Sequence, residues 1–373
     1  MDSSFIRPGA DASRARREAG AAPPRGWRTW LFGRPLPTAD APHQAIGKAV
    51  GLAVFSSDAL SSTAYATQEI MIILAMAGTA ALSLVLPISV AIVALLAIVT
   101  FSYEQTIHAY PGGGGAYIVA RDNLGELPAQ VAGAALLMDY ILTVAVSISS
   151  GVAQVASAFP VVHEHKVGLA VLLVVVVMFM NLRGVKESGF VFAVPTFFFV
   201  AMMTLTVGTA LVRHLLGTLH ALPDPPPLDV EPTRAIGLFL VLHAFSSGTT
   251  ALTGVEAISN GIPAFKEPRS RNAGITLLWM SGILGFLFLG ISFLAGPIGA
   301  VPSEHETVIS QLARAAFDGR GPLYLAAIGA TTLILAMAAN TAYADFPRLA
   351  ALQAADGYLP RQLTYRGSRL VFS

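Results

Sequence analysis

The sequence predicts an all-α integral membrane protein of about eight transmembrane helices, two of which are broken. Three observations predict it. Hydrophobic residues make up 54% of the 373-residue chain and charged residues only 12%, where a soluble domain carries about 25% charged residues. Mean hydropathy is +0.65. Eight stretches are apolar over the length that a helix needs to cross a bilayer, and the first and sixth of them are interrupted by small and polar residues.

Residues 1–43 are polar, rich in Arg, Pro and Ala, and lack the apolar core of a secretory signal. Their composition predicts a disordered arm, ahead of a transmembrane domain over 44–373. The spans are expected at roughly 45–76, 81–103, 128–160, 167–182, 189–216, 235–263, 273–297 and 321–351. The basic residues orient them. With the N-terminus cytoplasmic, Arg7 to Lys48 supply eight inner charges. Arg121, Arg183, Lys186, Lys266, Arg269, Arg271, Arg348, Arg361, Arg366 and Arg369 bring the inner total to eighteen. Only Lys166, Arg213, Arg234, Arg314 and Arg320 fall outside.

Several function classes lose support at once. There are no cysteines, so disulfides and thiolate metal sites are excluded. Basic residues are scattered among short loops, which argues against nucleic acid. The glycines at 112–115 lack the following Lys-Ser/Thr and the strand of a phosphate loop. No nucleophile–base pair or cofactor loop points to an enzyme, and no cofactor is expected. His163-Glu164-His165 is expected to be a solvated outer loop, and His243 a helix-packing residue.

Span one contains Phe55-Ser-Ser-Asp-Ala-Leu-Ser-Ser-Thr-Ala-Tyr65, in which seven of eleven side chains carry oxygen. Span six contains Phe245-Ser-Ser-Gly-Thr-Thr-Ala-Leu-Thr-Gly-Val-Glu256. The two share Phe-Ser-Ser, then Ala-Leu and a hydroxyl, and lie one five-span unit apart. Inverted-repeat transporters bind substrate where two such corresponding spans unwind near mid-membrane. For Ser61, Ser62, Ser246 and Ser247 the alternative is close helix packing.

Asp58, Asp139 and Glu256 lie within apolar spans. A charge at mid-membrane costs about 2.5–3.5 kcal/mol on insertion scales, so function is the default reading. Thr143 and Ser147 follow Asp139 at four and eight residues, and Gly151 at twelve, which puts them on one helix face. Asp58 and Tyr65 share a face if the first helix is continuous, and Thr253 lies one turn from Glu256. These groups are all oxygen donors, and no Lys or Arg accompanies them. That favours a small hard cation over an anion. An amino-acid substrate would need helix N-termini free of an adjoining acid, which Asp58 opposes. Because an intramembrane carboxylate is costly, one of the three acids is the expected carrier of a coupling proton.

Tyr110-Pro-Gly-Gly-Gly-Gly-Ala-Tyr117 resembles the Pro-Gly-Gly-Ala-Tyr loop of the amino acid–polyamine–organocation (APC) superfamily. More specific are Ser57-Asp-Ala-Leu-Ser-Ser-Thr-Ala-Tyr65, Asp139-Tyr-Ile-Leu-Thr-Val-Ala-Val-Ser147, Ala251-Leu-Thr-Gly-Val-Glu-Ala-Ile-Ser-Asn-Gly261 and Ala344-Asp-Phe-Pro-Arg-Leu349. Together they resemble the Kim-type bacterial potassium–proton symporters, over residues 45–365. The resemblance implies a LeuT/APC-like inverted-repeat fold of five plus five spans. It also implies transport of K+ with H+, homodimers and a bacterial inner (cytoplasmic) membrane location. It implies substrate contacts at Asp58, Tyr65, Asp139, Thr143, Ser147, Thr253 and Glu256, with potassium held by Asp58, Tyr65, Asp139 and Thr143. The family continues past the eighth span, so a chain ending at Ser373 is expected to have an incomplete second repeat: either it is a fragment or truncated product, or the remainder is supplied elsewhere. The alternative function is an amino-acid or polyamine permease of the same superfamily.

Overall fold

The computed structural model describes residues 46–113, 115–182, 189–228 and 233–365. The expected arm at 1–43, the basic residues Arg183, Lys186, Arg366 and Arg369, and the acids Asp229 and Glu231 lie outside the described residues. Among the described residues there is no named strand, and seven helical runs are long and apolar enough to cross a membrane. The first span adds an eighth crossing in pieces. This is the expected all-α membrane architecture with spans one and six broken. Helices satisfy their own backbone groups, which is what a chain without access to water must do.

Span one comprises α1 (Lys48–Phe55), α2 (Ser57–Ser61), a 3-10 turn (Ser62–Ala64) and α3 (Ala66–Ala75). Span two is α4 (Val85–Ala109), longer than expected at its inner end, and a short helix α5 (Gly115–Leu124) follows. Spans three, four and five are α6 (Glu126–Ala158), α7 (Lys166–Leu182) and α8 (Gly189–Leu215). Span six is α9 (Leu238–Gly248), a 3-10 turn (Thr249–Leu252) and α10 (Ala257–Asn260). Span seven is α11 (Arg269–Ala295), an outer helix α12 (Val308–Ala316) follows it, and span eight is α13 (Pro322–Ala355).

The packing follows residue size. α4 buries Ile88, Ile92 and Leu96 at helical spacing, with Leu96 against Gly285 of α11 and Ile92 against Gly248 of α9, and Thr100 Oγ1 donates to Ser281 Oγ of α11 at 2.8 Å. α6 and α13 lie against each other along much of their length. Small residues allow it: a side chain added at Gly133 would meet Gln353, and Gly151 faces Leu335. Apolar side chains of α7 such as Val167, Val171 and Leu172 stay exposed, as lipid-facing positions should.

The loop glycines after span two have a packing role. Gly113 (φ +79°) and Gly115 (φ +53°) adopt left-handed backbone. Added methyls would strike the backbone and side chain of Asn260. This lets the Pro-Gly loop lie against the inner end of span six. Nearby, Ile46 N donates to Ala264 O (2.8 Å) and Lys266 N donates to Ile46 O (2.9 Å), pinning the entry of span one to the exit of span six. His163, expected in a solvated loop, stacks on His305 with ring centroids 4.7 Å apart.

Candidate functional site

The two breaks meet at the centre of the bundle. In span one the helix loses register at Ser56 and again at Tyr65 (φ −130°, ψ −25°). The hydroxyls that follow the break bond to its own backbone. Ser61 Oγ donates to Asp58 O (2.7 Å), Ser62 Oγ to Ala59 O (2.6 Å) and Thr63 Oγ1 to Leu60 O (2.8 Å). Short polar side chains of this kind compete with the helical ladder, which is how they stabilise an irregular turn. Ser62 Oγ also reaches Ala251 O in span six at 3.0 Å. Ser61 and Ser62 thus serve the scaffold. In span six the pattern repeats one turn earlier: Thr249 Oγ1 donates to Ser246 O (2.6 Å) and Thr250 Oγ1 to Ser247 O (2.9 Å).

Thr253 is extended (φ −57°, ψ 137°) and Gly254 is left-handed (φ +80°). A methyl added to Gly254 would lie 2.8 Å from Ala59 N and 2.8 Å from Asp58 Oδ2. The backbone of one break therefore rests against the carboxyl of the other, and only glycine permits both the conformation and the approach. Two residues on, Glu256 opens the inner half of span six.

Of the predicted residues, Asp58, Tyr65, Asp139 and Glu256 form one electrostatic neighbourhood. Asp58 (3% exposed) and Glu256 (7% exposed) are buried. Asp58 lies within reach of the charges of Glu256, Asp139 and Asp345, in that order. Tyr65, buried, shares the fields of Asp58 and Asp139. The first helix is not continuous between Asp58 and Tyr65, yet folding of the break brings both into this neighbourhood. Asp139 is half-buried on α6, while Thr143 and Ser147, one and two turns further on along the same helix, are buried. Thr253 is half-buried. Asp58 Oδ1 and Ser147 Oγ are enclosed and have no hydrogen-bond partner, which is unusual for buried polar atoms. Among the described residues no three His, Asp or Glu side chains gather as a metal cluster.

Two contributors were not picked out from the sequence. Asp345 of α13 acts on Asp58 and Glu256. Tyr140, buried beside Asp139, lies in the field of all four acids. Both stood within quoted motifs, but Asp345 sits near a span end, where an acid is ordinary, and Tyr140 looks like a packing residue.

The family model "Amino acid permease" matches residues 51–370. The chain is 48% identical over 346 residues to the potassium transporter KimA of Bacillus subtilis (strain 168), covering 93% of this chain and 57% of that protein. It is 26% identical over 239 residues to cationic amino acid transporter 7, chloroplastic, of Arabidopsis thaliana (60% of this chain, 38% of that protein). It is also 26% identical over 209 residues to cationic amino acid transporter 6, chloroplastic, of that plant (52% and 33%). The chain thus spans just over half the length of the Bacillus relative and less of the others.

Proposed function

The chain belongs to the amino acid permease family, and from that premise we propose that it is a secondary active transporter that takes up potassium together with a proton. One observation carries the reading: the Asp58 carboxyl lies where the two broken spans touch, with one oxygen lacking a partner. A cation arriving there would exchange its water for protein oxygens. Asp58, Tyr65, Asp139 and Thr143 are its proposed ligands, with Ser147, Thr253 and Glu256 completing the enclosure. A divalent ion would call for several carboxylates at once, and the described residues hold no such cluster. Hydroxyls and carbonyls with one or two acids suit a monovalent ion. Three acids in mutual reach repel one another, and a cation and a proton arriving together relieve that repulsion. The proton is therefore assigned to this group of acids. The name of the Bacillus relative, a potassium transporter, supports the same cargo.

In this reading potassium and proton are cargo and no cofactor takes part. The protein works in the bacterial inner membrane as a homodimer, with its N-terminus cytoplasmic. The second reading is an amino-acid or polyamine permease. The names of the two Arabidopsis relatives favour it, because a cationic side chain would suit the same acids. The two are separated by expressing the gene in a bacterial strain without its own potassium importers, at micromolar potassium. Growth rescue that is lost with Asp58→Asn or Glu256→Gln is the expected result. Absence of rescue, together with uptake of labelled lysine or putrescine, would favour the permease.

A further inference from the structure

Below the meeting point of the two breaks lies a cavity of about 130 Å³. Phe55 at the end of α1, Tyr140 of α6, Asn260 of α10, and Asp345 and Arg348 of α13 line it. By the charge asymmetry of the loops this is the cytoplasmic side. Asp345 and Arg348 form an ion pair one helical turn apart, Nη1 to Oδ1 at 2.9 Å. Their exposure differs: the carboxylate side chain is 20% exposed and the guanidinium 53%. The acid thus sits inside the cavity and the base at its mouth. Asp345 also acts electrostatically on Asp58 and Glu256, so it lies near enough to the central group to feel its charge.

An acid alone on an exit path would retain the ion, and passage requires binding weak enough to release. We infer that Asp345 is a cytoplasmic release station whose counter-ion, Arg348, is a tethered cation that competes with the cargo: a departing cation displaces the guanidinium from Asp345, and the returning guanidinium displaces the cation into the cytoplasm. Arg348 is a positioning residue here, acting through Asp345. The inference rests on the transport reading above.

The test uses the expressed protein in right-side-out and inside-out membrane vesicles, with radioactive rubidium as the potassium probe. Arg348→Gln should lower KM for rubidium presented at the cytoplasmic face about fivefold, roughly 1 kcal/mol, the upper range for a partly exposed pair. KM at the outer face should stay as in the parent. Asp345→Asn should raise the cytoplasmic-face KM, and Arg348→Gln should then add nothing. An effect equal at both faces, no change at the cytoplasmic face, or persistence of the Arg348→Gln effect without Asp345 would overturn the inference. If Arg348→Gln does not accumulate in the membrane, Arg348→Cys replaces it, since the chain has no native cysteine. A positively charged thiol reagent should restore the parent KM and a neutral one should not; equal effects of the two would overturn the inference. Absence of rubidium transport by the parent protein would instead overturn the transport reading itself.

Discussion

At the scale of single residues, hydroxyls of one chemical type divide into two kinds. Those of Ser61, Ser62 and Thr63 are used by the backbone of the break. That of Ser147 is buried without a partner. The difference is testable by one pair of substitutions. Ser62→Ala removes bonds to Ala59 O and Ala251 O, and should lower stability by about 1 kcal/mol while leaving the KM for potassium near its parent value. Ser147→Ala removes no internal hydrogen bond among the described residues. It should leave the unfolding temperature unchanged and raise KM several-fold. Thermal unfolding in detergent, measured beside uptake, reads both, and the reverse assignment of effects would contradict the division. Asp58 and Glu256 were legible in the sequence because an acid inside an apolar span has few structural excuses. Gly254 was not, because a glycine in a membrane helix is commonplace and its left-handed φ exists only once the break has folded.

At the scale of elements, the outer side is covered by α12, which is held to four spans at once. Thr307 caps it, accepting from Ser310 N at 3.2 Å. The same Thr307 Oγ1 donates to Gln154 Oε1 of span three at 2.8 Å, and Thr307 N donates to Ser157 Oγ at 3.0 Å. Val308 N donates to Gln68 Oε1 of span one at 3.1 Å, and Ser310 Oγ pairs with Tyr324 OH of span eight at 2.8 Å. Glu306, buried, bonds Arg314 at 3.0 Å, and Arg213 donates to the carbonyls of Ala315 and Ala316 that end the helix. Such a connected polar network favours one arrangement, here one closed over the outer ends of the bundle, although Gln154 Nε2 and Arg314 Nε are buried in it without a partner. Thr307→Val removes the cap and the Gln154 bond together, at about 1–2 kcal/mol. The expected result is faster outer-side labelling of a cysteine introduced by Ser147→Cys, read with a membrane-impermeant thiol reagent. An unchanged labelling rate would show that α12 does not control access. On the inner side, Phe55 stacks on Phe265 with centroids 5.5 Å apart, so the inner halves of the two broken spans are packed to one another.

At the scale of the whole molecule, broken spans one and six contact through their irregular segments, while α6 and α13 form a long supporting face beside them. Acids from four spans act on one another around the seam without gathering into a cluster. Such an arrangement leaves repulsion that cargo can relieve, so cargo should stabilise the fold. A ligand that binds only the folded state adds about 2.7 kcal/mol at one hundred times its dissociation constant. Potassium is therefore expected to raise the unfolding temperature of the purified protein at constant ionic strength, and sodium to do so less. Asp58→Asn should abolish the difference between the two salts. Equal shifts with both salts in the parent protein would argue against a potassium site at the seam.

The sequence by itself determined the membrane class, the number and order of the spans, and which two of them break. These follow from local facts: how long the chain stays apolar, and where hydroxyls and carboxylates interrupt it. The sequence also placed three acids in apolar surroundings, because the cost of such a charge depends only on the bilayer around its span. What only the tertiary structure decided is how these pieces face one another. The contact of Gly254 with Asp58, the division of serines between bonded and unpartnered hydroxyls, and the place of Asp345 above Arg348 all depend on helix rotation and on unwound backbone. Residues 58, 139, 256 and 345 lie far apart in the chain, and no local pattern encodes the angle at which four separate helices present them to a common centre.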